Sequence, residues 1–345
     1  MDDIDRELMI LITASPRISF VEISKKLGIS RQAAHHRLQV LIDSGVIKGM
    51  TADMSAPYLD AIPVGVHGRS RAASIEKVLD KLGEGEFTRR AIVGGGGNIY
   101  VNGQLRDISE LGEFSEFVIR VAELQDPIVG LLSPEPGLMP HYSPDGIVTR
   151  KESYKELSPL DLRIIAALRG NVRRSASEIA KVIGVTTKTV SRRLDDMISE
   201  GSLELHVRWD STLVGDMYFV AQVTLRDGAD SGTVGRRLLK NYPFKDAFFV
   251  AYGNMPNFLT WIFWTSDMSE MRRILRVVDE DEDVVSLVPN FVFLERIYSN
   301  WRSRLDESPG THRKVSSSKS GHPLSGADGS RSSHSNKRLP IQVQS

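Results

Sequence analysis

Cysteine is absent from all 345 residues. That excludes disulfide frameworks, thiolate metal sites and cysteine nucleophiles together. Neither sign of charge is in excess: 44 Lys and Arg face 44 Asp and Glu. A uniformly basic coat and an acidic solvating chain are therefore both ruled out, while local basic patches remain open. No apolar run approaches the roughly 20 residues that a membrane-spanning helix needs. The opening MDDIDREL carries neither the basic nor the apolar segment of a secretory signal. These absences predict a soluble cytoplasmic protein with no membrane partner. The 41% hydrophobic content suits an ordinary globular chain. At about 150 residues per domain, the length predicts two domains or more.

The chain repeats itself. Gly28 falls on Gly184, and the same offset of 156 carries Asp5 to Asp161, Arg17 to Arg173 and Ser19 to Ser175. It carries Glu22 to Glu178, Arg37 to Arg193, Leu38 to Leu194 and Gly45 to Gly201. It still holds at Gly97 and Gly253 and at Asn98 and Asn254. Beyond Asn254 it becomes 160, so the second copy has four extra residues there. A period this long is a duplicated unit, not a solenoid. A Pro-rich stretch joins the copies, and a Ser-, Lys- and Arg-rich tail follows them. The linker has no periodicity, and the tail lacks the apolar residues to bury a core, so disorder is expected there.

Each copy opens with three helical patterns. Ile4, Leu8, Leu11 and Ile12 keep helical spacing, as do Leu160, Ile164 and Leu168. Ser19 with Glu22, and Ser175 with Glu178, form capping boxes for a second helix. Gly28 and Gly184 supply the left-handed residue that ends it, and Ser30 and Thr186 cap the third. The third helix is expected over 31–43 and 187–199, with buried stripes Ala34, Leu38, Leu41, Ile42 and Val190, Leu194, Met197, Ile198. A short β-like stretch follows each. Three helices with a Gly turn between the last two read as a helix-turn-helix. The third helix leaves Arg31, Gln32, His35, His36 and Gln39 outward in copy one. In copy two it leaves Thr187, Lys188, Ser191, Arg192 and Asp195. Most are hydrogen-bond donors, on an element that fits the major groove. The expected contacts to double-stranded DNA are Ser30, Arg31, Gln32, His35, His36 and Arg37, with Thr186, Thr187, Lys188, Ser191, Arg192 and Arg193. The arginines and lysine would take phosphates or bases, and Gln32, His35 and His36 would read bases.

The second part of each copy reads βαββαβ. Copy one has strands at 61–67, 87–93, 98–105 and 128–132, with helical patterns at Ile75–Leu82 and Ile108–Val121. Copy two repeats it from 218 onward. This order is the ferredoxin-like unit. Two helices cover one face of such a sheet, and the other face needs a partner. Phe248, Phe249, Phe258, Trp261, Phe263 and Trp264 predict a heavily buried face in the second sheet. Pairing of the two sheets is the expected answer.

A helix-turn-helix followed by βαββαβ, with ISKKLGIS at the turn and GVIKG after the third helix, resembles the Lrp/AsnC family of transcriptional regulators. Each half resembles one whole member. The expected fold class is α+β, in two tandem units of a winged helix-turn-helix and a ferredoxin-like domain. The segments are 1–52 and 157–208 (helix-turn-helix), 58–133 and 214–305 (ferredoxin-like), 134–156 (linker) and 306–345 (tail). The resemblance implies DNA binding and dimerisation through the sheets, as a homo-oligomer or an intramolecular pseudo-dimer. It also implies an amino-acid-like effector beside the hairpin, at Gly97, Asn98 and Tyr100.

Other chemistry finds little footing. Gly94–Gly97 lacks the spacing of a dinucleotide loop and precedes a strand, so it reads as a hairpin turn. His35 and His36 point about 100° apart on a helix and make poor joint metal ligands. No cofactor, metal or catalytic set is expected. An alternative of another class is a sirohaem decarboxylase-like enzyme on the same architecture, with His67, Tyr100, His206 and Tyr252 as candidate groups. A protein-interaction scaffold is a third.

Overall fold

The computed structural model describes residues 1–133, 154–210, 217–241, 247–265 and 267–305. Most of the predicted linker (134–153) and the whole tail (306–345) lie outside the described residues.

The caps do what their chemistry dictates. Helix α1 (Asp3–Ala14) starts at Asp2, whose carboxylate accepts the Asp5 N–H while Asp5 returns the bond. Helix α2 (Phe20–Leu27) starts in the Ser19–Glu22 box and ends at Gly28, φ +65°. Helix α3 (Arg31–Asp43) is capped by the Ser30 side chain accepting from the Ala33 N–H. Strand β1 (Ile47–Met54) follows. The rest of copy one is β2 (Ile62–Ser70), α4 (Ile75–Glu84), β3 (Thr88–Gly94), a tight turn over Gly95–Gly97, β4 (Asn98–Leu105), α5 (Leu111–Ala122) and β5 (Leu124–Leu131). Copy two begins with α6 (Pro159–Leu168), α7 (Ala176–Ile183) and α8 (Thr187–Glu200), followed by β6 (Leu203–Trp209) and β7 (Met217–Leu225). It continues with α9 (Ser231–Asn241), β8 (Ala247–Tyr252), β9 (Met255–Thr265), α10 (Met268–Asp279), β10 (Val284–Ile297) and the short α11 (Trp301–Arg304). The expected α+β architecture, a helix-turn-helix and a ferredoxin-like domain in each half, is what forms.

The two sheets fuse into one of eight strands, in the order β5-β2-β4-β3-β10-β7-β9-β8. The seam is β10, whose far half pairs with β3 of the other copy and whose near half pairs with β7. The two ends also meet. Leu132 bridges Tyr252, Gly253 N–H donates to the Leu131 carbonyl, and Ser133 N–H to that of Ala251. The sheet thus curls back on itself until its two edge strands touch near Leu132 and Tyr252. Helices α4 and α5 cover a core of Val64, Leu79, Leu82, Ile99, Val101 and Phe114. Helices α9 and α10 cover Phe249, Leu259, Trp261 and Phe263. The inner faces meet through Ile92, Tyr100, Tyr218, Val220, Ile262 and Val292.

Several details differ from the sequence reading. The aromatics of copy two divide between faces, because side chains alternate along a strand. Phe249, Trp261 and Phe263 lie under helices, and Trp264 joins the inner cluster. Ile42 and Ile198 are 39% and 44% exposed, so the buried stripes of α3 and α8 are narrower than expected. The extra residues of copy two do not enlarge the hairpin loop. They lengthen β9 to 11 residues against 8 in β4.

Candidate nucleic-acid interface

The two helix-turn-helix units share one core. Leu8, Ile12, Ile23, Leu38 and Leu41 of the first and Ile164, Ile165, Ile179, Val190 and Leu194 of the second belong to a single buried cluster. Strands β1 and β6 were expected as short wings. They run longer and pair antiparallel with each other. Thr51 opposes His206 and Met50 opposes Val207. Under the 156-residue offset these two pairs exchange places, as a two-fold axis through the ribbon requires. The arginines of the polar break obey the same symmetry. Arg17 donates to the carbonyls of Val172 and Arg174, the latter at 2.9 Å. Arg173 donates to those of Pro16 and Ile18, at 2.8 and 2.9 Å. The duplicated chain has thus built an internal dimer.

Within this frame the outer faces of the third helices stay largely exposed to solvent. Arg31, Gln32, His35 and His36 on α3 are exposed, and so are Thr187, Lys188, Ser191 and Arg192 on α8. The His35 ring lies 5.1 Å from Phe20, whose own ring sits 4.7 Å from the Arg173 guanidinium. Arg192 reaches Asp196 one turn on, at 3.3 Å. Ser30 and Thr186 cap their helices through the N–H groups of Ala33 and Thr189. Arg37 and Arg193 take a different place from the one expected. Arg37 is held by Asp2 and Asp5 of α1, at 2.8 and 2.6 Å. Arg193 is held by Asp161 of α6, at 3.1 Å. They brace the third helix against the first helix of its unit.

The joint between the helix-turn-helix pair and the sheet carried no signal in the sequence. Arg302 of α11 is 2% exposed. It donates to the Met54 carbonyl at the end of β1, to Gln104 Oε1 at 3.0 Å and to Glu204 of β6 at 2.7 Å. Trp301 Nε1 donates to the Gln104 carbonyl at 2.7 Å. His206 Nε2 stands 3.7 Å from Asp53 and 3.6 Å from Glu204. Burial pushes the His206 pKa down; Glu204 and Asp53 pull it up, and Arg89 and Arg302 push it down again. His206 is therefore a structural group of the joint, far in role from the ring cluster with which it was grouped.

The other three members of that group do converge between the sheets. His67 is 2% exposed and its Nε2 has no hydrogen-bond partner. Its ring stacks 5.3 Å from Tyr100 and 5.7 Å from Phe258, with Tyr252 at 6.3 Å. Burial drives the His67 pKa down to about 4. Tyr100 accepts from Gln222 and Asn290, at 3.0 and 2.9 Å, and burial pushes its pKa up to about 12. Asn98 donates to Asn290 Oδ1 at 2.8 Å. Gly97 takes φ +81° in the turn. The hairpin expected beside an effector thus also contacts the other copy, through Gln222 of β7 and Asn290 of β10. Among the described residues no group of three or more His, Asp or Glu is placed to hold a metal ion. No described helix is long and apolar enough to cross a membrane.

Geometry of this kind defines a tandem helix-turn-helix protein whose two units form an internal pseudo-dimer on a fused sheet. The family model for winged helix-turn-helix DNA-binding matches residues 1–48, and that for the AsnC-type helix-turn-helix domain matches 157–198. The HTH-type transcriptional regulator LrpA of Pyrococcus horikoshii is 32% identical over 97 residues, 28% of this chain and 69% of that protein. The regulator Ptr1 of Methanocaldococcus jannaschii is 29% identical over 116 residues, 33% of this chain and 78% of that protein. The chain belongs to the Lrp/AsnC family. Among solved structures, the siroheme decarboxylase NirDL superposes with a TM-score of 0.55 at 14% identity, over 89% of this chain and 97% of that one. That is a likeness of fold, and it spans both units.

Proposed function

We propose that the chain is a sequence-specific regulator of transcription that binds double-stranded DNA through α3 and α8. The observation that carries this reading is the contrast between the faces of those helices. Caps, reciprocal arginines and the β1–β6 ribbon hold the helix-turn-helix pair together. The donor-rich outer faces are left open. Buried-core symmetry is expected of any dimer, but a solvent-facing row of Arg, Gln, His, Lys and Ser at groove-reading positions is what base contact requires. An amino-acid-like effector would act by opening the Asn98–Asn290 contact at the hairpin, which would alter the seam between the copies. Titration of labelled duplexes with the full chain, followed by fluorescence anisotropy, tests the reading. Binding should weaken steeply with salt and be lost when Gln32→Ala and Lys188→Ala are combined. Salt-insensitive binding, or binding untouched by that pair, contradicts it.

A second reading has one observation in its favour: His67, Tyr100 and Tyr252 converge inside the fused sheet, as a tetrapyrrole-processing enzyme would need. Their surroundings weigh against it. Tyr100 and Tyr218 are 5% and 2% exposed and packed among aliphatic side chains. The nearby guanidinium of Arg90 is held by Glu295 at 2.6 Å. A Soret band on adding a haem-type tetrapyrrole, lost in His67→Phe, would favour the enzyme.

A further inference from the structure

Resting on the DNA-binding reading, we propose that the operator is not a palindrome: one half-site is read through adenines by α3, and the other through G·C pairs by α8. The two helices are equivalent by the internal two-fold, as the Arg17–Arg173 exchange and the register of the ribbon require. Positions that build the units keep their chemistry across it, even where Ala34 becomes Val190 and Leu41 becomes Met197. The caps are Ser30 and Thr186, the braces Arg37 and Arg193, the buried leucines Leu38 and Leu194. Outward positions do not match at all. Arg31 becomes Thr187, Gln32 becomes Lys188, His35 becomes Ser191, His36 becomes Arg192 and Gln39 becomes Asp195. Five differences out of five, beside a preserved scaffold, separate the surface that folds the dimer from the surface that reads.

A homodimer of single units repeats one face and must read a palindrome. In this chain the shared core and the ribbon pair one α3 with one α8, so both faces act on one duplex. Their chemistry points to different bases. Glutamine bonds adenine N6 and N7 as a pair, which Gln32 offers; the Gln39 amide donates to Asp43 at 2.9 Å. Lysine and arginine suit guanine O6 and N7, and a carboxylate accepts from cytosine N4. Lys188, Arg192 and Asp195 offer those. The dyad therefore relates the two backbones but not the two messages, and the protein sits on its site in one orientation only.

The test is selection of bound duplexes from a random pool by the full-length chain, followed by single variants. The expected motif has two dissimilar halves. Gln32→Ala should weaken binding about 5- to 150-fold and relax only the adenine half, and Lys188→Ala should do the same for the G·C half. Transplanting the second face onto α3 (Arg31→Thr, Gln32→Lys, His35→Ser, His36→Arg, Gln39→Asp) should convert the motif to a G·C palindrome. His35 packs on Phe20, so if that transplant unfolds, the single variants alone decide between the two kinds of site. A palindrome selected by the wild-type chain overturns the proposal and leaves DNA binding standing, as do single variants that relax the same positions. A pool with no enrichment overturns DNA binding itself, and the proposal with it.

Discussion

Replacing Arg17 and Arg173 by methionine, one at a time, probes the internal dimer. Methionine keeps most of the aliphatic stem and removes the guanidinium. Each arginine bonds two carbonyls of the opposite unit, in half-buried positions. A buried bond from a charged donor contributes roughly 1.5–3 kcal/mol, and half exposure brings each of these two down to about 1 kcal/mol. Arg17→Met should therefore cost about 2 kcal/mol. Arg173 adds an aromatic contact, its guanidinium lying 4.7 Å from the centre of the Phe20 ring, where Arg17 has only the solvent-screened attraction of exposed Asp195. A cation over an aromatic face adds about 0.5–1 kcal/mol at a partly exposed site. Arg173→Met should cost correspondingly more, about 3 kcal/mol. Hydrogen exchange in α1–α3 and α6–α8, with urea titration of the full chain, reads both the size and the place of the loss. The loosening should appear in both units for either variant, since the contact is reciprocal. A cost below about 0.5 kcal/mol, typical of an indifferent surface site, would refute the reasoning. So would a larger cost at Arg17 than at Arg173.

Acidification should destabilise the sheet through His67. Its pKa lies near 4 in the folded chain against 6.5 free, so the unfolded state takes up the proton first. The stability is whole above pH 6.5 and falls by about 3 kcal/mol as the pH drops toward 4. Thermal melts of His67→Phe should lack that part of the slope, and an unchanged profile would refute it. Gly130 lies where a Cβ would strike the Tyr252 ring, so Gly130→Ala should cost about 1–3 kcal/mol by overpacking. Faster hydrogen exchange confined to β5 and β8 would mark the opened closure. Arg302→Met leaves the Met54 carbonyl and the half-exposed Glu204 without this donor and should cost about 1–3 kcal/mol. Calorimetry should then show the helix-turn-helix pair melting apart from the sheet; one undivided transition would contradict the joint's role.

What was readable in the sequence follows from the range of the interactions involved. Caps act over three residues, so Ser19, Ser30, Ser175 and Thr186 and the turns at Gly28 and Gly184 stand where their local chemistry says. Helix and strand order in the ferredoxin-like parts depends on periodicity and came through as well. The cross-copy features were illegible. Strand β1 is stabilised by β6, over 150 residues away, and nothing local in Ile47–Met54 announces that partner. Arg37 and Arg193 look like any basic residues on a recognition helix until Asp5 and Asp161 are seen beside them. The repeat did hold a usable signal there, because Asp5 and Arg37 recur together as Asp161 and Arg193. His206 and His67 are both histidines on strands, and only the fold separates an ionic joint from an aromatic stack.

If the open faces of α3 and α8 direct this chain to DNA, it should occupy discrete sites that control transcription. Genome-wide occupancy of the full-length protein in its native cell tests it most directly, with the Gln32→Ala and Lys188→Ala double variant mapped in parallel at equal abundance. The account predicts discrete peaks near transcription starts, sharing one motif and lost in the variant. Occupancy without discrete peaks, or peaks that persist unchanged in the variant, would contradict it.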